Sequence, residues 1–331
     1  DRVALIAQWN FSAEVLSKWL ALREVTQATI LDGVSEEEEL EVGLASMMTR
    51  YVMLRDMAEV ARKKEASHAR SSRIMKEKVE AGAALQIDAL RVETVLLETK
   101  ALLVGFERDA AVLKAEVCRF LKLDNCDATR FEIDERVLST DVVPTVPPMG
   151  TIESRNASVQ ASVRKIEAAE YQKLSEVLGW VPNIGVQGSI SKQRFSEESP
   201  FLPPEDGWSV GVGLSWELWD GGQRLSRLGR TEAQRRIAEL GLQRVRDDLS
   251  VQVLKRRESI KKSQDEYKLS SERVKLMRQA ETLTQNAYQE GGASLEDLLD
   301  TQDRLLDAEL GLIKSETELD LAWKSWSQIV D

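Results

Sequence analysis

Two stretches of about seventy residues run without a proline, and each ends at a glycine. They constrain this chain more than anything else in it. The first follows Val3-Ala4-Leu5-Ile6-Ala7-Gln8-Trp9-Asn10-Phe11 and stops at Gly82. The second follows Val210-Gly211-Val212-Gly213-Leu214-Ser215-Trp216-Glu217-Leu218 and stops at Gly291. Trp9 and Trp216 are offset by 207 and the two glycines by 209; an aspartate follows each glycine by six residues, Asp88 and Asp297. The chain therefore reads as strand, very long helix, tight turn and helix, written twice. Seventy helical residues span about 105 Å, too long for a compact globule of this mass, so the rods must pack on partners within or between chains.

The repeat fixes the expected organisation. Residues 1–123 form the first copy: a strand at 2–11, a long helix at about 12–81 and a return helix at about 83–123. Residues 124–150, with Pro144, Pro147 and Pro148, form the linker. Residues 151–331 form the second copy: a helix at about 151–179, strands at about 181–193 and 207–219, a long helix at about 221–289 and a return helix at about 294–330. Symmetry implies that about 55–60 residues like 151–208 precede Asp1 in the full protein. Ser35 and Glu38 have the spacing of a capping box and, with Gly33, could break the first long helix.

The helices carry a seven-residue period. Leu298, Leu305, Leu312, Leu319 and Trp326 form one line, and Thr301, Ala308, Ser315 and Ala322 a second, small-residue line. Val253, Ile260, Tyr267 and Val274 repeat the period, and Leu40, Leu44, Met47, Tyr51, Leu54, Ala58 and Ala61 step by four and three. Such a period winds helices into left-handed coiled coils. The charge run Glu36–Glu39 reads as a solvated helix face.

The strands alternate. Val210, Val212, Leu214, Trp216 and Leu218 face one way, and Ser209, Gly211, Gly213, Ser215 and Glu217 the other. Ile184, Val186 and Ile190 alternate with Asn183, Gln187 and Ser189. In the first copy, Val3, Leu5, Ala7, Trp9 and Phe11 alternate with Ala4, Gln8 and Asn10, with Ile6 the exception. This suits a membrane-spanning β-barrel and a soluble hairpin equally. Tryptophans near strand ends (Trp9, Trp180, Trp208, Trp216 and Trp219) favour the membrane reading, because the indole ring suits a membrane–water interface. Three or four strands cannot close a barrel, so closure demands several chains. Residues 196–206 read as the loop between adjacent strands.

Several function classes are excluded. Lys and Arg number 45 against 56 Asp and Glu, a net charge of -11, which argues against nucleic acid as a partner. One histidine, His68, and two cysteines leave nothing from which to build a metal site or a catalytic triad. No enzyme activity, cofactor or metal is expected. Cys118 and Cys126 either pair in an oxidising compartment or remain two thiols.

The run Gly207-Trp208-Ser209-Val210-Gly211-Val212-Gly213-Leu214-Ser215-Trp216-Glu217-Leu218-Trp219-Asp220-Gly221-Gly222 resembles the strand-to-helix junction of TolC-type outer-membrane factors. Ala287-Tyr288-Gln289-Glu290-Gly291-Gly292-Ala293-Ser294-Leu295-Glu296-Asp297-Leu298-Leu299-Asp300-Thr301-Gln302 resembles their helical-hairpin tip. The stretches Ala168-Ala169-Glu170 and Trp180-Val181-Pro182-Asn183 are also similar. The resemblance implies a mainly α fold with a small β part, as a homotrimer: long hairpins form a periplasmic α-barrel, and each chain gives four strands to a twelve-stranded barrel in outer-membrane lipid. It implies a passive exit duct for drug efflux or type I secretion, docked to a periplasmic adaptor and an inner-membrane pump of the RND or ABC type. The rival reading is an envelope scaffold of coiled coils without a conducting barrel.

The same resemblance assigns gate roles to Tyr288, Asp297 and Asp300, with Asp88 equivalent in the first copy. It assigns adaptor contact to the tips at Gly82, Ala83, Gly291 and Gly292. The family's Val-Gly-Leu or Val-Gly-Thr tip is absent, since the glycines are flanked by Ala81 and Ala83 and by Glu290 and Gly292; the family's gate arginine is Ala293 here. Converging aspartates would form a negative ring that favours cations, with some pKa values raised by crowding. The alternative is that these aspartates cap the returning helix.

Overall fold

A computed structural model describes residues 2–124, 126, 131, 139–193 and 207–330. Nine elements follow one another: β1 (Arg2–Phe11), α1 (Ala13–Glu80), α2 (Gln86–Phe120), α3 (Met149–Arg155), α4 (Ala157–Leu178), β2 (Asn183–Gln193), β3 (Gly207–Ser215), α5 (Gln223–Gln289) and α6 (Leu295–Val330). The protein is mostly helical with one small sheet. The expected loop at 196–206 and much of the linker lie outside the described residues.

The boundaries differ from the sequence reading in two places. The helix expected at 151–179 is two helices, because Asn156 leaves the helical path and caps α4, accepting the Val159 N–H at 3.0 Å. The last strand stops at Ser215, so Trp216 and Trp219 lie beyond it. The break that Ser35 and Glu38 could have made is absent, as the long helix expected at about 12–81 requires: α1 runs unbroken, and the Ser35 hydroxyl shares a 2.7 Å hydrogen bond with Ser158 of α4.

The chain divides into two compact units, residues 1–36 with 149–249, and residues 37–148 with 250–331. In the first, the antiparallel sheet has the order β1-β2-β3. The register lines up Leu5, Ile190 and Trp208 in one row, and Ile6, Ser189 and Ser209 in the next. One face thus carries most of the large apolar residues and the other, Ile6 apart, the small polar ones, where the Ser189 and Ser209 hydroxyls pair at 2.8 Å. In this unit α1 and α4 meet through Ser35 and Ser158, and Ser17, Ala21 and Ala28 of α1 and Ala161 and Ala168 of α4 are buried. Arg164–Glu24 (3.1 Å) and Lys165–Asp32 (2.8 Å) flank that contact.

The second unit contains the coiled-coil cores. Leu298, Leu305, Leu319 and Trp326 are buried at seven-residue steps with Ala308, Ser315 and Ala322 beside them, and Val253, Ile260 and Val274 are buried on α5. Ala61, His68 and Met75 form the same kind of line on α1, so His68 is a core residue. The core also takes up Asp320, fully buried and paired with Lys324 at 2.6 Å; Lys324 in turn reaches the Thr49 hydroxyl at 3.3 Å. A lone carboxylate there would be expensive; the ion pair makes it tolerable.

Candidate functional site

At each tip the helix ends with a glycine in the left-handed region, Gly82 at φ 69° and Gly291 at φ 79°. The Ala83 N–H reaches the Lys78 carbonyl at 2.8 Å and the Gly82 N–H the Val79 carbonyl at 3.0 Å. Gly292 to Ala287 (2.7 Å) and Gly291 to Tyr288 (3.2 Å) repeat the pattern. These paired bonds close the last helical turn and require φ > 0 at that glycine. Ala83 and Gly292 follow directly, exposed at the turns.

The aspartates six residues beyond the glycines act as caps. The Asp297 carboxylate accepts from the Ser294 N–H at 3.0 Å and its hydroxyl at 2.6 Å, while the Ser294 hydroxyl accepts from the Asp297 N–H at 3.1 Å. This reciprocal box satisfies helix-end donors. In the first copy Leu85 stands where Ser294 does, and only the Leu85 N–H to Asp88 contact remains, at 3.4 Å. Asp300 instead pairs with Arg304 at 2.9 Å.

Within one chain, Asp297 is governed by its own hydrogen bonds. The hydrogen bond from the Ser294 hydroxyl, then that from its backbone, holds Asp297 below the ordinary carboxylate value. The raised carboxyl is Asp303, which the sequence reading passed over. Burial raises it first, then the charges of Glu98, Asp307 and Asp300, with Lys64 opposing. No hydrogen bond or ion pair joins Tyr288, Asp88, Asp297 and Asp300 to one another among the described residues. The hairpins are tied instead by Arg91–Glu296 at 3.3 Å and by a cluster of Met75, Ala89, Val92, Val95 and Leu299.

At the strand-to-helix junction, Asp220 accepts from the N–H groups of Gly222 (3.2 Å) and Arg224 (2.8 Å), starting α5. The buried Arg224 guanidinium donates to the Glu217 carbonyl and carboxylate, both at 2.8 Å, and lies 5.6 Å over the Trp180 ring. Trp216 donates its indole N–H to the Trp180 carbonyl at 3.1 Å. Trp180 and Trp216 thus belong to a bonded joint that the strand alternation did not reveal; Asp220 before two glycines was its sequence signal. Trp208 is 78 % exposed and Trp219 is 80 % exposed. Trp9 lies in β1, paired with Val186, and its side chain is outside the described set.

Cys118 and Cys126 form a disulfide, with Cα atoms 5.7 Å apart. Among the described residues no group of three or more His, Cys, Asp or Glu side chains could hold a metal ion. Among the described residues no helix is long and apolar enough to cross a membrane.

The family model for outer membrane efflux proteins matches residues 149–330, more than half the chain. This chain belongs to the outer membrane efflux protein family. Members of this family are outer-membrane channels, and that is the location of this one. Solved structures with the same fold include a membrane protein from Pseudomonas aeruginosa, with 15% identity and TM-score 0.87, covering 100% of this chain and 84% of that one. The outer membrane protein VceC from Vibrio cholerae matches with 14% identity and TM-score 0.82, over 100% and 87% of the two chains. The open state of the MtrE outer membrane channel of Neisseria gonorrhoeae matches with 12% identity and TM-score 0.80, over 100% and 80%. No curated protein sequence matches the chain.

Proposed function

We propose that this efflux-family protein is a passive, homotrimeric exit duct whose strands close one shared barrel in outer-membrane lipid. Its tips then dock a periplasmic adaptor that links it to an inner-membrane pump. The observation that carries the reading is the sheet: β1 and β3 are open edges, and the face bearing Ile190, Trp208, Val210, Val212 and Leu214 lies exposed. Open edges do not persist in hydrocarbon, so strands from neighbouring copies must cover them.

The helices support the same reading. Leu90, Leu97 and Val104 on α2 are exposed at seven-residue steps, as are Leu269, Leu276 and Leu283 on α5. Counted from Gly82 and Gly291, the two sets lie 8, 15 and 22 residues from their tips. Two seams at matching heights suit α2 of one copy packing on α5 of the next. The two copies of the repeat would then alternate around the tunnel.

Asp297 and Asp300, repeated by symmetry, would line the tip mouth with negative charge and favour cations. The hydrogen bonds that lower the Asp297 pKa favour keeping it ionised. Gly82, Ala83, Gly291 and Gly292 would offer backbone to the adaptor. The test is reconstitution of the full-length protein in planar bilayers. Stable conductance steps with cation preference, weakened in Asp297→Asn, are expected. A bilayer-inserted oligomer that never conducts overturns the duct.

A further inference from the structure

Within the second unit, α1, α5 and α6 form a layer with two unlike sides. On one side lie residues of the stretch between α2 and α3. The buried Gln264 amide of α5 donates to the Ser139 and Val142 carbonyls at 2.9 and 3.0 Å, and Trp323 of α6 donates to Ser139 at 3.2 Å. Phe131 packs on Leu44, Met47 and Tyr51 of α1. On the other side is a cavity of about 420 Å³, whose lining includes Ala45 and Arg50 of α1, Ser263 and Glu266 of α5, and Glu318 and Ala322 of α6. At about 100° per residue, Ala45, Glu266 and Glu318 stand roughly 140–160° round their helices from Met47, Gln264 and Trp323. A second cavity of about 390 Å³ shares Glu266 and Glu318 and continues past Leu269 to Arg273. The two make one groove from Ser259 to Arg273 of α5, about 21 Å long.

The charges of the groove are unequally matched. Its carboxylates already have lysine partners: Glu266 pairs with Lys262 at 3.5 Å and Glu318 with Lys314 at 3.9 Å. Arg50 and Arg273 enter no ion pair among the described residues. Ser263 lines the groove, is only 5% exposed, and has no hydrogen-bond partner among the described residues. A buried hydroxyl without a partner, beside a guanidinium without a counter-charge, suits an anionic acceptor. Ala45, Ala322 and Leu269 add apolar surface along the same groove. The groove lies 18 to 32 residues before Gly291, roughly 27–48 Å above the tip. That is several Debye lengths of about 8 Å, so the tip aspartates do not set its charge.

We propose that this groove binds an amphiphilic organic anion, one acid group on an elongated apolar body. The acid group sits on Arg50 and Ser263, and the body lies along α5 toward Leu269. Its place in transport rests on the duct reading. A wall one helix thick has an inner and an outer side, and three copies of the stretch between α2 and α3 inside the bore would obstruct it. The duct reading therefore turns the groove toward the bore and makes such anions its cargo.

The test titrates full-length protein in lipid nanodiscs with decane-1-sulfonate by calorimetry, empty nanodiscs being subtracted. Decyltrimethylammonium, with the same tail and the opposite charge, is the comparison. Saturable binding of the sulfonate is expected, about tenfold weaker for the cation and in Arg50→Gln, since one charge-assisted hydrogen bond contributes about that factor. Arg50 is exposed, so its replacement leaves the packed core alone. Ala45→Phe, which fills the cavity, should abolish binding. No binding beyond that of empty nanodiscs overturns the site, as does equal binding by wild type and Arg50→Gln. In planar bilayers the sulfonate should also reduce the current, each variant being compared with its own unblocked conductance. Binding without block in a conducting protein overturns the placement in the bore. Binding by a protein that never conducts supports the site and overturns only the duct.

Discussion

Cysteines placed at Leu97 and Leu276 should cross-link neighbouring copies of the protein. Leu97 lies fifteen residues past Gly82 and Leu276 fifteen before Gly291, so each stands about 22 Å above its own tip. The tips are close in level, because Arg91 bonds Glu296 and Leu299 packs among Ala89, Val92 and Val95. Pairing Leu97 with Leu283 instead shifts the register by one heptad, about 10 Å, beyond the reach of a disulfide. The six seam residues are 51–71% exposed in one chain. Covering them contributes roughly 6–10 kcal/mol per junction as an upper bound. The assay is mild oxidation of L97C/L276C in detergent, followed by a non-reducing gel. The described native cysteines are already paired and give no background. Dimers and trimers should appear, while L97C/L283C and each single variant stay monomeric on the gel. Strong cross-linking of L97C/L283C, or none from L97C/L276C in protein that conducts, would falsify the α2-to-α5 packing.

Two further outcomes follow from the geometry. Leu85→Ser should complete the cap that Ser294 provides in the other hairpin and stabilise the chain by about 1 kcal/mol, whereas Ser294→Ala should cost about as much; chemical denaturation measures both. His68 is 2% exposed, its Nε2 has no hydrogen-bond partner, and burial, then the nearby Lys64 charge, depresses its pKa. The unfolded chain therefore binds the proton more readily, and stability should fall as pH drops below about 6.5. His68→Leu should flatten that part of the pH profile in thermal melts; an unchanged slope would show that other groups set it.

The long helices, their seven-residue lines and the two hairpin turns were legible from proline spacing and heptads alone. These signals are local: a helix displays its buried stripe in its own period, and a turn that needs φ > 0 asks for glycine. The alternation in the strands was equally plain, and the register placed Leu5, Ile190 and Trp208 in one row as that alternation required. Other features needed partners distant along the chain. Ser35 looked like a cap until Ser158 of α4 took its hydroxyl. Nothing in the period of α6 marks Asp320 as buried, yet it is buried with Lys324.

The spacing of Cys118 and Cys126 was compatible with pairing or with two thiols; only the fold brought them together and seated Phe131 beside them. Asp297 was read either as a charge shared at a mouth or as a helix cap; in the chain its bonds with Ser294 make it a cap and lower its pKa. Sequence by itself determined which segments are rods, ribbons and turns, because those choices rest on period and backbone conformation. Tertiary structure decided which polar groups are buried, bonded or left facing outward, because burial depends on neighbours that chain order does not name.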